Sequence, residues 1–127
     1  MKKTISTSNA PAAIGPYCQA MEVNGTLYAS GQLGMNPATG ELVEGGVKEQ
    51  TTQAFANIKA VLAEAGYAIG DVVKTTVFLS DMADFAAMNE VYASQFEAGS
   101  YPCRSAFAVR TLPKNGLVEI EIIAVKG

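Results

Sequence analysis

The stretch LVEIEIIAV, residues 117–125, decides the fold of this chain, because it is the most apolar strand candidate and yet contains two glutamates. Alternation along a β-strand places Glu119 and Glu121 on one face and the apolar residues beside them on the other. Two carboxylates facing a dry core are costly unless paired, so their face must meet water, an arginine or a ligand. Ile123 and Val125 share the glutamate face. This partly apolar face is therefore expected to be sealed by another subunit.

Turn and periodicity signals predict further elements in the first half of the chain. Asn24-Gly25, the dipeptide best suited to a type I′ turn, joins two strand-like runs at 19–23 and 26–30. Apolar residues at three- and four-residue spacings predict an amphipathic helix over 47–65, and Gly66 is its natural end. Two segments rich in Pro and Gly are expected to be loops, namely an extended, packed one at 10–17 and one at 34–46 with a turn at 37–40.

The second half of the chain repeats the alternation of strand and helix. β-Branched residues predict a strand over 72–79, and the polar stretch 80–84 supplies N-cap candidates for a second helix that ends at Gly99. The residues that this helix is expected to bury are Phe85, Met88, Tyr92 and Phe96. A strand then begins near Arg104. The order strand, strand, helix, strand, helix, strand, strand predicts an α+β layer pair in which two helices cover one face of a sheet.

Composition limits the classes of function. A length of 127 residues fits one domain, residues 1–127, with one core. Only 17% of the residues are charged and 49% are apolar, which favours self-association. The net charge of −3, with nine scattered Lys and Arg residues, argues against nucleic-acid binding. No run approaches the ~18 apolar residues of a membrane span, and the N-terminus has no signal-peptide pattern.

The chain has two cysteines, Cys18 and Cys103, and no histidine. These cysteines form neither a disulfide framework nor a metal-binding spacing, and no histidine is present to complete a zinc site or to activate a thiol. Free thiols in a reducing compartment are the plain interpretation, so the protein is expected to be cytoplasmic.

Arg104 is one of only two arginines and follows a proline by two residues, at the mouth of an apolar run. Its guanidinium is a rigid fork of donors that matches a carboxylate or a phosphate. Arg104 and Glu119 together suggest an acid-binding pocket with one cation and one carboxylate. Structural roles compete with this hypothesis, because an arginine at a strand end also forms ion pairs and most glutamates line a solvated face.

Three other positions are candidates for the walls of such a pocket. Tyr17 lies in the Pro/Gly loop, where a tyrosine is more often packed than catalytic. Ser30 and Gly31 combine a small residue with a backbone amide suited to an acid group, although a strand-to-loop turn uses the same residues. Asn89 is a polar residue on the second predicted helix, where capping, solvent contact and ligand contact are all open to it.

Several motifs, in this order along the chain, resemble the RidA/YjgF family of imine deaminases. They are Ala10-Pro11 through Gly15-Pro16-Tyr17-x-Gln19, Ser30-Gly31-Gln32, Pro37-x-Thr39-Gly40, the run 70–78, Asp84-Phe85, Asn89-x-x-Tyr92, Pro102-x-Arg104-Ser105, Leu112-Pro113 and Glu119-Ile120-Glu121. The resemblance covers residues 4–125. It implies a chorismate-mutase-like α+β fold with a mixed β-sheet, assembled as a homotrimer with a site in each inter-subunit cleft.

The activity that the resemblance implies is hydrolysis of 2-imino acids and their enamine tautomers, such as 2-aminoacrylate, 2-iminopropanoate and 2-iminobutanoate, to 2-oxo acids and ammonia. Arg104 would hold the substrate carboxylate, and Glu119 would orient and partly deprotonate the attacking water. The other substrate-binding residues implied are Tyr17, Ser30, Gly31, Asn89 and Ala106. No metal or organic cofactor is implied.

One position departs from the family pattern. Many members carry a cysteine two residues after the arginine, whereas this chain has Ala106 there and Cys103 directly before the arginine. Strand alternation points Cys103 away from Arg104, so the thiol does not replace the missing one. Two other functions compete with imine hydrolysis: a non-catalytic regulator that binds a 2-oxo or amino acid on the same fold, and a ribonuclease, which the acidic charge and the lack of histidine disfavour.

Overall fold

Six strands form one mixed sheet with two helices on one face in the computed structural model of the chain, which describes residues 1–126. The strands are β1 (Lys2–Ile5), β2 (Ala20–Val23), β3 (Thr26–Leu33), β4 (Met35–Asn36), β5 (Glu41–Leu42), β6 (Val72–Leu79), β7 (Cys103–Ala108) and β8 (Val118–Val125). The helices are α1 (Val47–Ala65) and α2 (Phe85–Ser94), and single 3₁₀ turns occur at Ile69–Asp71, Met82–Asp84 and Pro113–Asn115. None of the helices in residues 1–126 is long and apolar enough to cross a membrane.

The strand order in the sheet is β1-β2-β3-β8-β6-β7. Strands β6 and β7 are parallel and are connected through α2, while every other pair in the sheet is antiparallel. The last strand, β8, lies near the centre between β3 and β6, so its two faces belong to the two faces of the whole sheet. The predicted α+β fold with a mixed sheet is confirmed.

The hairpin turn and the first helix have the backbone conformations that the sequence predicts. Asn24 and Gly25 both have positive φ, 49° and 80°, as a type I′ turn requires between β2 and β3. Helix α1 buries one stripe of its surface, and Gly66 ends it in the left-handed conformation with φ 81°. Both predictions are confirmed.

The alternation in β8 is also confirmed. Val118, Ile120, Ile122 and Ala124 are buried beneath the helices, whereas Glu119 and Glu121 face the opposite side of the sheet. We call this opposite side the open face. It exposes large apolar side chains as well, since Tyr28 is 52% and Phe107 is 45% exposed. The sheet therefore has one covered face and one partly apolar face without a covering layer in the described residues.

The structure corrects two predictions and adds one strand that the sequence did not indicate. Helix α2 ends at Ser94 rather than at Gly99, because the N–H groups of Gln95 and Phe96 turn to carbonyls three residues back and close the helix with a tight turn. The segment Lys2–Ile5, which carries no apolar alternation, nevertheless pairs with β2 as an edge strand. The loop at 34–46 contains the short pair β4–β5 around its predicted turn, where the N–H of Gly40 donates to the carbonyl of Asn36 over 2.8 Å.

Candidate active site

Arg104 is partly buried on edge strand β7 and is held there by neutral groups. One guanidinium N–H donates to Oδ1 of Asn89 over 2.6 Å. The centre of the guanidinium lies 4.6 Å from the ring centroid of Tyr92 and 5.4 Å from that of Phe85. The only ion pair within residues 1–126 joins Lys48 to Glu90 on the helices. No carboxylate in residues 1–126 therefore neutralises Arg104, and most of its five N–H donors remain available to a ligand.

A cavity of about 410 Å³ opens in front of Arg104. Its lining residues are Asn89, Tyr92, Ala93, Tyr101, Pro102 and Arg104. Apart from one amide and one guanidinium, these side chains are aromatic or apolar, which raises the strength of an electrostatic contact inside the cavity. The sequence identified Arg104 and Asn89, but it assigned Tyr92 and Phe85 only to the core, because a stripe at helical spacing does not show which ring meets a cation.

Glu119 lines a second cavity, of about 440 Å³, formed by the loop before β2, the end of β3 and the turn before β8. Tyr17, Gly31 and Lys114 are among the residues that share this cavity with it. The pKa of Glu119 is raised, first because burial disfavours its charged form and second because the negative charge of Glu121 lies near it. A half-buried carboxylate with a raised pKa is suited to accept a proton.

Gly31 permits the carboxylate of Glu119 to lie directly against the backbone of β3. A β-bulge interrupts the β3–β8 pairing, so that Ser30 and Gly31 together face Glu121 alone. A β-carbon built on Gly31 would lie 2.9 Å from Cδ and Oε2 of Glu119. The glycine therefore keeps the space into which the carboxylate fits.

Ser30 and Gln19 attach the loop that carries Tyr17 to this bulge. The hydroxyl of Ser30 donates to the carbonyl of Cys18 over 2.7 Å, and its N–H donates to the carbonyl of Gln19 over 2.9 Å. Ser30 thus commits its hydroxyl proton to the protein, and only its oxygen lone pairs are left for a ligand. Tyr17 is 55% exposed at the rim of the cavity.

The structure brings the predicted residues together as two separate groups. Thr75 of β6 pairs with both Arg104 and Ile122, whereas Phe78 pairs with both Phe107 and Glu119. Because directly paired residues share a face, Arg104 lies on the covered face and Glu119 on the open face. Within one chain the guanidinium and the carboxylate therefore line different cavities.

The remaining two positions of interest follow the alternation of β7. Ala106 lies on the covered face with Arg104 and packs against the core. Cys103 is exposed, and its thiol donates to the carbonyl of Val73 over 3.2 Å. The thiol and the guanidinium of Arg104 thus point to opposite faces of the strand, as alternation predicted.

Comparison with known proteins extends over nearly the whole chain. Residues 7–126 match the family model described as Endoribonuclease L-PSP. A goat protein named 2-iminobutanoate/2-iminopropanoate deaminase is 54% identical over 127 residues, covering 100% of this chain and 92% of that protein.

Solved structures agree with this relationship. The crystal structure of RidA from an Antarctic Psychrobacter is 50% identical, with a TM-score of 0.93 and coverage of 98% of this chain and 99% of the other. The structure of E. coli TdcF with bound serine is 42% identical, also with a TM-score of 0.93 and the same coverage. The chain therefore belongs to the RidA/YjgF family.

Proposed function

We propose that this chain is a deaminase that hydrolyses 2-imino acids and their enamine tautomers to 2-oxo acids and ammonia, at sites shared between copies of the chain. The activity follows from the full-length relationship to a goat protein, 54% identical, that is named 2-iminobutanoate/2-iminopropanoate deaminase. The observation that carries the site is Arg104, a partly buried guanidinium without a carboxylate partner in residues 1–126, facing a cavity.

Recognition of the substrate begins with its carboxylate. The N–H donors of Arg104 that Asn89 does not use can form hydrogen bonds to both oxygens of a carboxylate. Asn89 holds one side of the fork, so the guanidinium meets the ligand in a defined orientation. A bound serine in the related E. coli TdcF supports a ligand that carries a carboxylate and a nitrogen on adjacent carbons.

The chemical step requires little more than a positioned water, because the carbon of a protonated imine is already electrophilic. Glu119 takes a proton from this water as its oxygen bonds to the imine carbon, which forms a 2-amino-2-hydroxy acid. The protonated Glu119 then gives its proton to the nitrogen. The carbon–nitrogen bond breaks as the hydroxyl loses its proton to Glu119, leaving ammonia and a 2-oxo acid. Ammonia then takes this proton and departs as ammonium, so Glu119 is ionised again.

Tyr17 and Gly31 line the cavity of Glu119, and Asn89 lines that of Arg104. Ser30 precedes Gly31 in the bulge, and Ala106 shares the covered face with Arg104. Tyr17 and the backbone at Gly31 would shape the wall near Glu119, with the Ser30 oxygen as an acceptor. Asn89 would form part of the wall near Arg104, and the backbone amide near Ala106 would help to bind the acid group.

A homotrimer with the site in each inter-subunit cleft is supported by the placement of the two groups. Arg104 and Glu119 lie on opposite faces of the sheet of one chain, so that a neighbouring copy must bring the missing half to each site. The exposed Tyr28 and Phe107 on the open face offer apolar area for this contact.

Ammonia release from 2-aminoacrylate, generated in situ by a dehydratase, tests the proposal against the spontaneous rate. Arg104→Ala should abolish the acceleration, and Arg104→Lys, which keeps the charge but loses the fork, should retain a small part of it. Full activity of Arg104→Ala would remove the mechanism.

The same assay separates the enzyme from a binding regulator. Glu119→Gln should still bind the product 2-oxobutanoate in calorimetry while its turnover falls to the spontaneous rate. Wild-type protein that binds 2-oxobutanoate but does not accelerate ammonia release would establish the regulator instead.

Charge and thiol content support a small-molecule enzyme of the cytoplasm. The net charge of −3 disfavours an RNA backbone as the substrate, although the family model carries an endoribonuclease description. Cys18 and Cys103 are both free thiols, which fits a reducing compartment.

A further inference from the structure

The guanidinium of Arg104 rests on an aromatic platform, which we define as the rings of Tyr92 and Phe85. The Tyr92 ring is the nearer one, 4.6 Å from the guanidinium carbon. An aromatic face attracts a cation through its quadrupole, and this attraction orients the charge without cancelling it. A carboxylate in the same place would hold Arg104 equally well but would neutralise it.

Tyr92 is itself fixed from below. Its hydroxyl lies 2.7 Å from the hydroxyl of Thr75, which is fully buried. Thr75 is also the residue of β6 that pairs directly with Arg104. The same Thr75 position thus anchors both the ring and the strand residue that carries the guanidinium.

Helix α2 supplies all three neutral groups near the guanidinium, namely Asn89 and the two rings of the platform. Asn89 and Tyr92 are three residues apart, so they share a helix face and both line the cavity in front of Arg104. Asn89 accepts one N–H of the guanidinium, while the guanidinium carbon lies over the ring of Tyr92. The remaining donors are left for the cavity.

We propose that Tyr92 is a positioning residue for imine hydrolysis: its ring, anchored by Thr75, sets the guanidinium plane of Arg104 for the substrate carboxylate and leaves its charge intact. This inference rests on the proposed function, because it takes Arg104 as the group that binds the substrate. Tyr92 acts through Arg104 and not on the reacting carbon.

Steady-state kinetics of Tyr92→Leu and Tyr92→Phe test the platform. Tyr92→Leu should raise KM by about 2- to 30-fold, the range of a cation–π contact expressed as affinity, with a smaller change in kcat. The affinity for 2-oxobutanoate, measured by calorimetry, should fall by the same factor. Tyr92→Phe keeps the ring but loses the hydroxyl contact with Thr75, so its affinity for 2-oxobutanoate should fall, but by less than in Tyr92→Leu.

Phe55→Leu is the matched control. Phe55 is buried and its ring centroid lies 5.6 Å from that of Tyr92, but it is not one of the two rings beneath Arg104. This variant should lose stability but keep its KM. An equal rise of KM in Phe55→Leu and Tyr92→Leu would show a general packing effect and overturn the inference. Should Tyr92→Leu fail to fold, Tyr92→Met, which fills similar space without a π face, replaces it and must show the same rise.

A double-mutant cycle with Arg104→Lys isolates the contact. Tyr92→Leu should weaken 2-oxobutanoate binding less in the Arg104→Lys background than in wild type, since the planar fork is already gone. Equal effects in both backgrounds would show that Tyr92 does not act through Arg104. Wild-type activity in Arg104→Ala would instead remove the proposed function, so the two failures are distinguishable.

Discussion

At the scale of single residues, Glu119 is the group whose protonation should control the rate. Burial raises its pKa, and the charge of Glu121 raises it further. Glu119 must be ionised to accept a proton from water, so the rate should fall as the pH drops through this raised pKa. The loss should therefore begin at a higher pH than for an ordinary glutamate.

Glu121→Gln tests this account of the pKa. Removing the neighbouring charge lowers the pKa of Glu119, so the acid limb of the kcat/KM profile should move to lower pH, while burial keeps part of the elevation. A pH-rate profile of the variant measures the shift. Glu64→Gln, an exposed change on α1, is the control and should leave the limb in place. An unmoved limb in Glu121→Gln would contradict the assignment.

The close approach of Glu119 to Gly31 predicts that Gly31→Ala folds but has a low kcat. The added β-carbon of Gly31→Ala would meet the carboxylate of Glu119 at 2.9 Å, and this flexible end can move aside. We expect unfolding stability close to wild type and kcat lower by roughly 10- to 100-fold, because a displaced base no longer aligns the water. Gly70→Ala, where nothing lies within 4 Å of the new atom, should change neither. Normal kcat in Gly31→Ala would rule out the close fit.

At the scale of elements, the loop between β1 and β2 owes its shape to one buried amide. The Gln19 side chain accepts the N–H of Thr7 over 2.6 Å and donates to the carbonyls of Thr7, Ala10 and Pro11. These contacts fix the start of the loop that carries Tyr17. Side-chain hydrogen bonds thus take the place of strand pairing in this irregular loop.

Gln19→Leu should release this loop. The change leaves the buried N–H of Thr7 and several carbonyls without partners, so we expect a loss of about 2–4 kcal/mol in unfolding free energy. Hydrogen exchange over residues 7–17 should also accelerate. Denaturation at one fixed protein concentration measures the loss of unfolding free energy. Gln95→Leu is the control, because the hydrogen bond of Gln95 to Lys59 is exposed. Unchanged exchange in the loop would show that Gln19 does not hold it.

The regular elements were predictable where neighbours along the chain carry the signal. The turn at 24–25 and the helix over 47–65 depend on local backbone preferences and on a local period. Strand β1 was not predictable, because its first three residues are exposed and only pairing with β2 holds them. The sequence pattern places the end of α2 too late, because Phe96 still packs on Phe55 and Tyr92 after the helix has ended. The distances between ring centroids are 5.7 and 5.1 Å.

At the scale of the whole molecule, the covered and open faces of the sheet divide the site. Arg104 and its platform lie on the covered side, and Glu119 with the Tyr17 loop lies on the other. If the two residues act on one substrate, as proposed, a lone chain should have no activity. Assembly would then be required for function as well as for stability.

Subunit complementation tests the division directly. Arg104→Ala and Glu119→Gln should each be inactive, yet protein refolded from an equal mixture should regain about a quarter of wild-type activity, since that share of shared sites receives both intact residues by random assembly. Each variant refolded alone is the control. Recovery of no activity from mixed oligomers of confirmed composition would mean that both residues of each site come from one chain.

The sequence by itself determined the local elements, the two faces of the strand at 117–125 and, through the order of its motifs, the family. Only the tertiary structure decided that Arg104 and Glu119 line separate cavities and that the Tyr92 ring lies beneath the guanidinium. The physical reason is the range of the forces involved. Periodicity and turn chemistry act between neighbours in the chain, whereas the meeting of side chains depends on the register of strands far apart in sequence.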